Sequence, residues 1–226
     1  MRYEVFGDTL PAVTVHLNQG ESMYTQSGGM SWMTDGMNME TNMKGGLAKG
    51  LGRMMSGESL FMATYTANAP NQSITFASSF PGHILPIELD GTNEFICQKT
   101  AFMAAEPGVH LSASINKKVM GGLFGGEGFI MQRVSGNGVV FLELDGSVKE
   151  IMLAPGEKII VDTGNVAAYE TCVQYTAETV KGFKNVLFGG EGLFLTTLTG
   201  PGKVYLQTMS LPEFAGRISP YFAHSK

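Results

Sequence analysis

The sequence predicts an all-β fold made of three tandem, pseudo-symmetric units with short helical turns, and three observations carry that prediction. Short runs rich in Val, Ile, Phe and Tyr are spread along all 226 residues. They are separated by Pro-Gly and Asp-Gly pairs, the dipeptides that reverse a chain most readily. A glycine–glutamate marker returns at nearly constant spacing, which is the signature of a duplicated unit. Composition agrees: 30 glycines supply turns, and charged residues make up only 15% of the chain, against roughly 25% in an ordinary globular protein. So few charges leave part of the surface to be covered by other copies of the chain.

Taken in order, Val13–Leu17 reads as the first clear strand. Met33, Met37, Met39 and Met43 fall on odd positions, so one strand across them would put four thioethers on one face. That face is a candidate oligomer contact, because methionine adapts to an apolar neighbour; without interspersed Cys or His it is a poor copper site. Gly45–Met55 is too glycine-rich to assign. Pro81-Gly82 and Asp90-Gly91 mark turns. Ala113–Phe124 and Ala177–Phe188 space their apolar residues three or four apart and predict a helical turn or a loop ended by glycine. Gly138–Leu144, Lys158–Asp162 and Lys203–Gln207 are strands, with Asp145-Gly146 suited to a tight hairpin and Pro155-Gly156 and Pro201-Gly202 turning the chain between them. Such spacing suits an antiparallel sandwich or barrel.

The repeats align on two markers. Phe124-Gly125-Gly126-Glu127-Gly128 returns as Phe188-Gly189-Gly190-Glu191-Gly192, with a weaker copy at Ser56-Gly57-Glu58-Ser59; the glutamates are 69 and 64 residues apart. Leu153 to Gly164 lines up with Leu17 to Gly28 and, less well, with Leu89 to Thr100. The expected units are 34–99, 100–162, and 163–211 completed by 1–33, closed into a cycle. Gly57, Glu58, Gly126, Glu127, Gly128, Gly190, Glu191 and Gly192 are structural repeat markers in this reading. Their glycines supply positive φ, and their carboxylates accept N–H groups or pair with Lys117, Lys118 or Lys181.

The chemistry of sites is sparse. His16, His83, His110 and His224 are far apart and lack ligand partners at metal spacing, so no metal, cofactor or catalytic residue is expected. The glycine loops end without Lys-Ser or Lys-Thr, and their own carboxylate would repel phosphate. A net charge of −5 argues against a dedicated nucleic-acid binder, although Lys117, Lys118 and Lys181 are the residues that would contact RNA if the units form a ring. Two unpatterned cysteines, Cys97 and Cys172, fit a reducing cytoplasm. No apolar stretch is long enough to span a bilayer, and Met1 to Leu10 carries no secretory pattern.

With both markers in place, the chain from about Tyr3 to Leu211 resembles the altered-inheritance-of-mitochondria family. The motifs are the twin Gly-Gly-Glu-Gly markers, the Pro155-Gly156-Glu157 turn and the strand end Val161-Asp162-Thr163-Gly164. The resemblance implies three β-sandwich units, each similar to a subunit of the tryptophan RNA-binding attenuation protein, a shortened double-stranded β-helix. It also implies a homotrimer, hence a nine-unit ring, and supplies no activity and no ligand. The first unit departs from the pattern, with Ser56 and Ser59 in place of glycine. The function expected is a non-enzymatic, homo-oligomeric scaffold or interaction protein. The alternatives are a ligand-responsive RNA-binding ring and an enzyme using clefts between units.

Overall fold

Alternating apolar residues along short β-branched segments need two faces to pack against, and the chain supplies them by stacking sheet on sheet. The computed structural model describes residues 1–26, 28–42, 62–113, 130–179 and 194–222. Among them run strands β1 (Arg2–Phe6), β2 (Ala12–Leu17), β3 (Ser22–Gln26), β4 (Trp32–Met33), β5 (Met37–Asn42), β6 (Met62–Ala67), β7 (Gln72–Ala77), β8 (Gly82–Asp90) and β9 (Phe95–Gln98). There follow β10 (Phe102–Ala105), β11 (Val109–Ala113), β12 (Met131–Asp145), β13 (Val148–Leu153), β14 (Lys158–Asp162), β15 (Val166–Glu170), β16 (Gln174–Thr179), β17 (Phe194–Thr199) and β18 (Gly202–Gln207). Helix α1 (Leu211–Ile218) comes last. The protein is predominantly β, as the sequence predicts.

Every pairing between these strands is antiparallel. One sheet runs β1-β2-β7-β4, a second β14-β17-β16, and a third, of 11 strands, threads from β13 through β12 to β5. The 15-residue β12 explains the size of the third. Its first part pairs with β9 and β11, and its second with β8 and β10. The change of partners falls at Gly136 to Gly138, and these two glycines have φ of +104° and +128°, a region that side chains avoid. A Cβ at Gly136 would also collide with the carbonyl of Gly108.

Three apolar cores lie between the faces. Val13, Val15, Met23, Tyr65, Ile74 and Phe76 fill the first. Leu89, Phe95, Cys97, Val134, Leu142 and Leu144 fill the second. Leu153, Val161, Val166, Leu198 and Val204 fill the third. The cores interlock, because β10 also pairs with β3, as Ala104↔Thr25 and Ala105↔Tyr24, and β15 also pairs with β9, as Ala168↔Cys97, Tyr169↔Ile96 and Glu170↔Phe95.

Several expectations need correction. Asp145-Gly146 does not close a hairpin: β12 and β13 take different partners, β8 and β18, and the Gly146 N–H continues the β12·β8 ladder by donating to the Pro81 carbonyl at 2.9 Å. The methionine run is not one strand either. Thr34, Asp35 and Gly36 turn the chain, so Met33 in β4 pairs onto β7 while Met37 and Met39 in β5 pair onto β6. Met37 is buried in the first core, Met39 is exposed, and Met43 lies outside the described residues. The opening strands join residues 62–77, through β2·β7 and β3·β6; among the described residues they form no ladder with 163–211. Nor is the cycle closed by a ladder there, since β4 and β14 are outer strands of separate sheets. The sequence reading missed α1. Its signal is Ser210 three residues before Glu213 with Pro212 between, a helix start, and the Ser210 hydroxyl accepts the Glu213 N–H at 3.4 Å.

Candidate interaction edges

Several carboxylates are tied to backbone. At the end of β2, Glu21 reaches back so that its carboxylate accepts the Asn18 N–H at 2.7 Å. At the end of β13, Glu157 does the same to the Ala154 N–H, also at 2.7 Å. At the end of β8, the Asn93 side-chain oxygen accepts the Asp90 N–H at 2.9 Å. Each turn carries a glycine in the left-handed region, Gly20, Gly156 or Gly91, which is why the second sequence marker pairs Gly with Glu. A second set sits deeper: the Glu106 carboxylate accepts the Val139 N–H at 2.7 Å, and that of Glu170 accepts the Lys203 N–H at 2.8 Å. In the first core the Thr34 hydroxyl takes this role toward the Ser73 N–H, at 3.1 Å. Sequence reasoning missed Glu106 and Glu170, which follow no glycine marker.

Burial sets the protonation of the groups inside. The Cys97 thiol is pushed up to about 12 by burial, with the Gln132 amide 3.7 Å away. The Tyr24 and Tyr169 hydroxyls are held above the ordinary phenol range by the same cause. Tyr24 donates to the Val109 carbonyl at 2.9 Å, and Tyr169 stacks on Tyr175 with ring centroids 5.6 Å apart. These groups stay neutral: Tyr24 donates a hydrogen bond, Cys97 accepts one from the Gln132 amide and Tyr169 packs on its neighbouring ring. On the surface, the Glu150 carboxylate 3.3 Å from the Lys203 ammonium raises that lysine. Among the described residues no group of three or more His, Cys, Asp or Glu could hold a metal, and no helix is long and apolar enough to cross a membrane.

What the surface offers is apolar side chains on outer strands. Trp32 on β4 is 54% exposed, Ile160 on β14 66% and Met152 on β13 62%. Among the described residues each of these strands has a single ladder partner. The Trp32 ring lies 6.4 Å from that of Phe6, centroid to centroid. An outer strand with unpaired backbone groups and large apolar side chains is a template for a further strand. Of the oligomer-contact candidates, Met39 faces water, Met33 packs against the first core and Met37 is inside it. Gly57, Glu58, Gly126, Glu127, Gly128, Gly190, Glu191 and Gly192, together with Lys117, Lys118 and Lys181, lie outside the described residues.

Residues 3–209 match the family model described as Mitochondrial biogenesis AIM24. An uncharacterized protein of Streptococcus pyogenes serotype M6 is 31% identical over 224 residues, spanning 95% of this chain and 88% of that protein. A crystal structure of a Streptococcus pyogenes protein superposes with a TM-score of 0.79 at 28% identity, covering 98% of this chain and 99% of the other. The chain belongs to the AIM24 family.

Proposed function

We propose, with that membership as the premise, that the protein is a non-enzymatic, homo-oligomeric scaffold assembled as a trimer from chains of three like β-sandwich units. The observation that carries this reading is the exposure of Trp32, Ile160 and Met152 on outer strands in a chain with few charges to keep such edges apart. Apolar area removed from water stabilises an interface by about 25 cal/mol per Å² before the costs of association.

Support for like units comes from ladders that repeat with an offset of 64. β10 pairs with β12 as Phe102↔Leu142, Ala104↔Phe141 and Ala105↔Val140. β15 pairs with β18 as Val166↔Leu206, Ala168↔Tyr205 and Tyr169↔Val204, with the register slipping at the same place. The Glu106 and Glu170 bonds repeat with the same offset. Support for a scaffold rather than a catalyst comes from Glu21, Glu106, Glu157 and Glu170, whose carboxylates are occupied by backbone N–H groups.

Light scattering coupled to gel filtration tests the proposal. A mass three times that of the 24.2 kDa chain at micromolar concentration is the expected result, and a monomer there overturns it.

A further inference from the structure

We infer that β13 takes an extended segment of a partner protein as an added strand, in the place that β1 fills on β2, and that this segment carries an acidic residue two positions after an apolar one. This goes beyond the scaffold reading: it assigns Met152 to a partner rather than to another copy, and it holds for a single chain as for a trimer.

β2, β8 and β13 are equivalent strands. Each ends in a capped turn, at Asn18, Asp90 and Ala154. The turns align Leu17 with Leu89 and Leu153, and Val15 with Ile87 and Ile151. On one side the three strands pair with β7, β12 and β18. Among the described residues only β2 has a ladder on its other side. There β1 lies against it, with Tyr3 opposite Val15 and Val5 opposite Val13.

That added strand closes the first core. The Tyr3 ring meets Phe141 edge to face at 5.0 Å, and Val13 and Val15 are 0% exposed. On β13 the same places are open: Ile151 is half-buried, and Lys149, where β2 has Val13, is exposed. β8 differs from both. Its Ile87 is already buried, and Pro86 precedes it in an unbroken ladder, opposite Phe141. A proline has no N–H to give, and on an outer strand its nitrogen faces the open side, where it turns away a further strand. The Pro86 place on β13 is held by Glu150, which keeps its N–H. β8 is therefore shut and β13 is open.

The side chains of β13 define the guest. In the register of β1, the guest runs antiparallel to β13, with one residue facing Ile151 and the residue two positions later facing Lys149. Both stand on the core face, as Tyr3 and Val5 do on β1. Ile151 packs against the third core, so the residue facing it is apolar. Lys149 has no carboxylate partner among the described residues, so the residue facing it is acidic; opposite charges across an antiparallel pair stabilise it. Glu150 is already met by the Lys203 ammonium at 3.3 Å and asks for no cation. Backbone bonds then supply affinity and these two side chains supply selectivity, as in other sheets that bind by strand addition.

Fluorescence anisotropy with full-length protein and dye-labelled, end-capped peptides tests this. The probe is the β1 sequence Arg-Tyr-Glu-Val-Phe with its valine replaced by glutamate, and the control peptide has lysine there. The glutamate peptide is expected to bind about two- to fivefold more tightly, and Lys149→Glu should reverse the order. Glu150→Pro should abolish binding of both with an unchanged far-ultraviolet dichroism spectrum, while Glu150→Gln retains it. Should Glu150→Pro fail to fold, the reversal in Lys149→Glu decides. No saturable binding at millimolar peptide, an unchanged order in Lys149→Glu, or binding that survives Glu150→Pro overturns the inference. An oligomer that dissociates in folded Glu150→Pro shows that a second copy takes this edge, and overturns it as well. A monomeric wild type that binds the peptide as described removes the trimer and leaves this inference standing.

Discussion

Glu157 and Glu21 illustrate how a turn motif that recurs within the chain reduces to one hydrogen bond. Each carboxylate accepts the N–H of the residue three positions earlier at 2.7 Å, and each bond is open to solvent, which limits its contribution to about 1 kcal/mol. Glu157→Ala is therefore expected to lower the melting temperature by about 2–4 °C. Glu21→Ala should cost as much, and the double variant should show the sum, because the two turns share no partner. Calorimetry of the four proteins checks both the size and the additivity. The two thiols give a second contrast at this scale. Cys97 is buried with its pKa pushed up to about 12, and Cys172 is exposed. A thiol reagent at pH 8 should label one site per chain in the folded protein and two after denaturation; rapid labelling of two in the native state would show that the second core is open.

Helix α1 is the element least bound to the rest. None of its residues is buried; it is held by Phe214, whose ring meets that of Phe80 edge to face at 5.0 Å, and by the Leu211 N–H donating to the Asp145 carboxylate at 2.9 Å. Burial outweighs that bond and raises the Asp145 pKa above its ordinary 3.8. The folded state then holds its proton more tightly than the unfolded one, so this group's contribution to stability falls as pH rises from below 3.8 through the raised value. Asp145→Asn keeps an acceptor for Leu211 and removes the titration. Its melting temperature should gain on that of wild type across that interval and run parallel to it above; a constant difference throughout would show that Asp145 does not titrate there. The elements also show how far a sequence can be read. β14 and the core of β2 were legible because alternation and turn residues are local signals. The partner of each strand was not, because Asp145-Gly146 has the same chemistry whether it closes a hairpin or joins two strands that take different partners. The candidate edges were hidden for a related reason. Ile96 and Ile160 look alike in the sequence, and only the ladder on one side of each distinguishes a buried residue from an exposed one.

At the scale of the whole molecule, the ladders β10·β3 and β15·β9 tie the three cores together, and Ile96 and Ile160, 64 residues apart, have different duties. Ile96 enters the third core, so Ile96→Ala removes buried contacts and leaves a cavity, at a cost of about 2–5 kcal/mol. That loss belongs to the fold of a single chain and should be the same at any protein concentration. Ile160 holds the corresponding place at the open end, 66% exposed, so Ile160→Ala removes little from the isolated chain. If a neighbouring copy covers it, the cost falls on assembly instead. Assembly stabilises the folded state by mass action, so the wild-type melting temperature rises with protein concentration. Ile160→Ala should flatten that rise and converge on wild type at high dilution, where both are single chains, while Ile96→Ala should stay below wild type by a constant interval. Melting curves over a hundredfold range of concentration separate the two behaviours, and parallel lines for all three proteins would mean that Ile160 has no partner beyond its own chain.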